Sequence, residues 1–77
     1  MSEKAPRITA AQVIRVLERR GFTLSRQSGS HQIYKNAEGK RVTVPFHSGK
    51  TLHPKLFKSI LHDAGLTIEE FKQYLKG

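Results

Sequence analysis

The apolar residues of this 77-residue chain change their spacing twice, and that change limits the folds open to it. Ala10, Val13, Ile14 and Leu17 recur at helical intervals and make one stripe. Thr9 and Gln12 stand three apart at its start, the spacing of a capping box, with Ile8 placed to staple onto Val13. Gly21 stands where such a helix stops, so the first helix is expected over about 10–20. From Phe22 the period drops to two. Phe22-Thr23-Leu24-Ser25 alternates apolar and polar, as a half-buried strand does.

Ser28-Gly29-Ser30 is turn chemistry, and His31-Gln32-Ile33-Tyr34-Lys35 reads as a second strand. Asn36-Ala37-Glu38-Gly39 is a hairpin loop. Arg41-Val42-Thr43-Val44 is a third strand, with the two valines on one face. Pro45 closes it, because proline has no N–H for a ladder. The helical period then returns. Pro54 suits a first turn, Leu56, Phe57, Ile60, Leu61 and Ala64 form an apolar face, and Gly65 ends it. Thr67 and Glu70 make a second capping box, with Leu66 and Phe71 as its staple, opening a short helix from about Ile68.

The expected fold class is therefore α+β, in the order α-β-β-β-α with a short C-terminal helix. A three-stranded antiparallel sheet carries its helices on one face and leaves the other open. Residues 1–7 read as a flexible terminus and 8–77 as one domain. A chain this small buries only about 60% of its unfolded surface, so a total stability of about 4–12 kcal/mol is expected.

Composition narrows the function. Fourteen Lys and Arg against six Asp and Glu give a net charge of +8, which favours polyanionic partners. From Arg20 to Lys58 there are eight cationic side chains and one acid, Glu38. That concentration points to a phosphate-binding surface, against the plainer reading of a solvated basic face. With no cysteine, disulfides, thiolate metal sites and cysteine nucleophiles are excluded. No apolar run is long enough to span a membrane and no secretory segment follows the start, so a cytoplasmic protein is expected.

Ser48-Gly49-Lys50-Thr51 resembles the end of a nucleotide phosphate loop. That motif requires glycine five positions before Gly49, where this chain has Val44, so it is rejected. Four histidines are present, but their spacing does not make a metal site, and neither metal nor cofactor is expected. His62 reads as a surface residue and His53 as a helix-boundary residue. His31 follows Ser-Gly-Ser at the mouth of a strand among basic residues. It is the candidate general acid or base, against the plainer reading of a hydrogen-bonded strand histidine.

Gly29-Ser30-His31, Ile33-Tyr34, Arg41-Val42-Thr43-Val44-Pro45 and His47 stand in an order that resembles the HicA toxin family. Lys50, Leu52, Pro54, Ser59-Ile60-Leu61 and Ala64-Gly65-Leu66 extend the resemblance, which runs from about Thr9 to Phe71. It implies a double-stranded-RNA-binding-domain-like fold. It further implies a toxin, an mRNA interferase, that cleaves mRNA and inhibits translation, with His31 catalytic and a HicB-type antitoxin covering the site. Gln32 departs from the pattern, since many members carry a second histidine there. The candidate RNA contacts are Arg26, Ser30, Lys35, Arg41, His47, Lys50 and Lys55.

Two other readings stay open at this level. One is a non-catalytic RNA-binding module with a basic sheet face; the other is a domain that meets an acidic protein. The phase of the second strand is open too. If Tyr34 points to the core, His31 and Ile33 face the open side; if Ile33 points inward, His31 goes with it. The reading adopted is Tyr34 inward.

Overall fold

A computed structural model describes residues 7–47 and 50–76. Residues 1–6 of the expected flexible terminus, and Ser48 and Gly49 of the phosphate-loop-like tetrapeptide, lie outside the described residues. The elements run α1 (Ala10–Arg19), β1 (Thr23–Ser28), β2 (His31–Lys35), β3 (Arg41–Pro45), α2 (Pro54–Ala64) and α3 (Ile68–Lys76). The strands form one antiparallel sheet in the order β1-β2-β3. This is the expected α+β order, consistent with a double-stranded-RNA-binding-domain-like arrangement carrying a C-terminal helix.

Each helix begins and ends for a local reason. At α1 the Gln12 backbone N–H donates to Thr9 Oγ1 (3.2 Å), and the Thr9 N–H donates to Gln12 Oε1 (2.9 Å). Past Arg20 the chain turns at Gly21, and the Phe22 N–H reaches back to the Leu17 carbonyl (2.8 Å). His53 caps α2, its Nδ1 accepting from the Lys55 N–H (3.1 Å). Gly65 ends that helix at φ +73°, a left-handed conformation that an L side chain adopts only with strain. Thr67 and Glu70 repeat the reciprocal cap at α3 (3.0 and 2.9 Å).

The core forms where the helical stripes meet one side of the sheet. Val13, Val16, Leu17, Phe22, Tyr34, Val42, Val44, Phe57, Ile60, Leu61, Leu66 and Phe71 are buried together. Burying each large side chain contributes about 1.5–3 kcal/mol. Phe57 and Phe71 meet edge to face, with ring centroids 4.9 Å apart, and so join α3 to α2. Arg19 Nη1 donates to the Tyr74 and Leu75 carbonyls, tying α1 to the end of α3.

The first strand departs from expectation. It runs to Ser28 rather than ending near Ser25, and all six of its residues are exposed rather than half-buried. Leu24 lies on the helix side opposite Tyr34 yet remains 50% exposed. The reason is coverage: α1 and α2 pack mainly over β3, at the opposite edge of the sheet from β1.

Candidate nucleic-acid interface on the open sheet face

Alternation along β2 sorts its side chains. Gln32 and Tyr34 face the helices, and His31, Ile33 and Lys35 face away. Tyr34 is 3% exposed, which settles the phase in favour of Tyr34 inward. Its hydroxyl donates to Gln32 Oε1 (2.9 Å). Burial pushes the Tyr34 phenol above its ordinary range, and the Glu18 carboxylate adds in the same direction.

His31 is exposed at the first position of the central strand. Ser28 of β1 and Pro45 of β3 are its cross-strand partners. One step beyond, the Phe46 N–H donates to the Ser30 carbonyl (2.6 Å), which continues the ladder and holds Ser30 beside the site. His47 follows directly and is exposed. The Lys50 N–H donates to the His47 carbonyl (3.1 Å), so Lys50 is folded back to the same end of the sheet. The Leu52 N–H donates to the Ile8 carbonyl (2.7 Å), and Thr9 bridges Thr51, anchoring the far end of this loop to the entry of α1.

The candidate contacts thus fall into separate places. Ser30, His47 and Lys50 gather at the His31 end. Arg26, Lys35 and Arg41 gather at the other end, where they line a shallow depression with Ser25 and Ile33. Lys55 stands apart, exposed in the first turn of α2.

Arg26 reaches the open face through a bulge that the sequence pattern did not reveal. Leu24 pairs with Tyr34 and Arg26 pairs with Ile33, so Ser25 is an extra residue on β1. Strict alternation from Leu24 would have turned Arg26 towards the helices. A single polar run, Ser25-Arg26-Gln27-Ser28, carries no period to mark the irregularity.

Gln32, the departure from the family pattern seen in the sequence, lies on the face opposite His31. A side chain at position 32 therefore cannot share a proton with His31 across the site. His62 is a surface residue, its side chain 91% exposed and 3.9 Å from Asp63. Among the described residues no three His, Cys, Asp or Glu side chains come together as a metal site, and no helix is long and apolar enough to cross a membrane.

A family model for the HicA toxin of bacterial toxin–antitoxin systems matches residues 10–66. The chain belongs to the HicA toxin family. Membership places this HicA chain on the toxin side of a toxin–antitoxin pair, with an antitoxin as its partner. The match covers everything from the start of α1 to Leu66, and so contains the whole open face. It stops before α3, although Phe71 of that helix is buried in the core of this HicA protein. No curated protein matches the chain.

Proposed function

We propose that this HicA chain is a metal-independent endoribonuclease that cleaves mRNA in the cytoplasm, inhibits translation, and is neutralised by a HicB-type antitoxin that covers the His31 end of the sheet. The observation that carries this reading is the placement of His31. It stands exposed on the open face, with Ser30, His47 and Lys50 at the same end and cations along the same surface.

RNA supplies its own nucleophile. The 2′-oxygen forms a bond to the adjacent phosphorus and the bond to O5′ breaks, leaving a 2′,3′-cyclic phosphate and a 5′-hydroxyl. One proton leaves the 2′-hydroxyl and one arrives on O5′, so the step balances without a further reactant. His31 carries one of these transfers and solvent the other. Lys50 offsets the charge that builds on the phosphate oxygens.

The test is cleavage of mRNA by purified wild type and His31→Ala in the presence of a chelator, with growth and mRNA integrity scored after induction in cells. Cleavage by wild type alone is expected. A folded His31→Ala protein that cleaves as well as wild type overturns the assignment, and RNA binding without cleavage by either protein supports a non-catalytic module.

A further inference from the structure

The depression at the far end of the open face is distinct from the His31 end. Its lining is Ser25, Arg26, Ile33, Lys35 and Arg41, and His31 is not part of it. The sheet register brings these residues together. Lys35 and Arg41 are direct cross-strand partners, and Arg26 stands opposite Ile33 on the neighbouring strand. Like charges directly across a ladder destabilise a sheet. Among the described residues no carboxylate pairs with any of the three cations. An anion seated between them would relieve the repulsion through charge-assisted hydrogen bonds, and the Ser25 hydroxyl adds a further donor.

We infer that this depression is a subsite for a backbone phosphate of the RNA other than the one cleaved. Lys35 lies four steps along β2 from His31, about 13 Å at roughly 3.3 Å per residue. One phosphate group does not span that distance, whereas the sugar-phosphate chain repeats its charge along its length. A strand laid along β2 with its scissile phosphate at His31 sets a flanking phosphate over Arg26, Lys35 and Arg41. The position of the scissile phosphate rests on the ribonuclease reading; the phosphate subsite itself does not. Phosphate carries no base identity, so the subsite positions RNA without choosing its sequence. It also supplies remote binding energy that a very short substrate lacks.

The experiment compares wild type with the triple variant Arg26→Gln, Lys35→Gln, Arg41→Gln. A second triple variant, Arg15→Gln, Lys72→Gln, Lys76→Gln, removes the same charge from exposed helix positions. Circular dichroism checks that each folds. The first readout is the ratio of kcat/KM for oligoribonucleotides of increasing length to that for a dinucleotide. The second is binding of a non-cleavable 2′-O-methyl oligonucleotide over a salt series.

Wild type and the helix variant should gain kcat/KM as the substrate grows long enough to reach the depression. The depression variant should lose that gain, roughly tenfold or more for charge-assisted hydrogen bonds. Its salt slope should fall by about 0.7 for each phosphate it no longer neutralises. An unchanged length ratio together with an unchanged salt slope overturns the subsite. So does a depression variant that binds the oligonucleotide like wild type but loses affinity for the antitoxin, since the cations would then serve protein docking. If no protein cleaves but the slope still falls in the depression variant, the ribonuclease reading fails and the phosphate subsite stands.

Discussion

Tyr34 donates a 2.9 Å hydrogen bond to the side-chain carbonyl of Gln32, two residues back on the same strand and on the same, helix-facing side. The bond satisfies the one polar atom of a side chain that is otherwise core. Burial of Tyr34 on this side, through the strand's alternation, leaves His31, Ile33 and Lys35 to face outward. The orientation of the candidate catalytic residue is therefore held from the opposite side of the sheet.

That hydrogen bond sits on a group with a pH dependence. Burial, then the Glu18 carboxylate, raise the Tyr34 phenol above its unfolded value. The folded state holds this proton more tightly, so its contribution is complete below the unfolded value near 10 and is lost as pH rises past it. Wild type should lose stability through this alkaline window more steeply than Tyr34→Phe, measured by urea denaturation at several pH values. Equal slopes would show that Tyr34 does not titrate differently in the two states.

His31→Ala should lower RNA cleavage by about 10²–10⁴-fold, the usual contribution of a positioned acid–base group. Stability should change by less than about 1 kcal/mol, because the ring is exposed. His62→Ala, at a fully solvated helix position, should leave both cleavage and melting temperature near wild type. Comparable losses of cleavage in the two variants would remove His31 from its special place.

His53 caps α2 through a nitrogen acceptor, an unusual choice at a position where serine, aspartate and asparagine prevail. His53→Ala should cost about 0.5–2 kcal/mol. His53→Asn restores an acceptor and should recover most of the loss. Thermal melts of the three proteins would decide it, and an alanine variant as stable as wild type would mean the cap contributes nothing.

Phe71 makes α3 part of the core although the family match ends at Leu66. Phe71→Ala removes a buried ring and its edge-to-face packing on Phe57, and should cost about 3–5 kcal/mol. Against a total of about 4–12 kcal/mol, that loss is a large fraction of the stability. Calorimetry or urea denaturation would measure it. A change below about 1 kcal/mol would show that α3 packs on a core already complete without it.

Element order and the limits of the helices were legible in the residues alone. Thr9 with Gln12, Thr67 with Glu70, Gly21 and Gly65 act on backbone groups within a few positions, so their meaning does not depend on the rest of the fold. The concentration of cations between Arg20 and Lys58 was legible for the same reason, being a matter of counting. Three matters were decided only by tertiary structure. Ile33 and Tyr34 are both apolar, and packing beneath α1 and α2 selects Tyr34 for the core. Phe22-Thr23-Leu24-Ser25 alternates like a half-buried strand, but the helices pack mainly on β3, at the opposite edge of the sheet, and leave Leu24 half exposed. The bulge at Ser25 turns Arg26 to the open face and joins it to Lys35 and Arg41. Register, coverage and facing arise from pairing between strands distant in sequence, and local alternation carries no record of which partner a strand will meet.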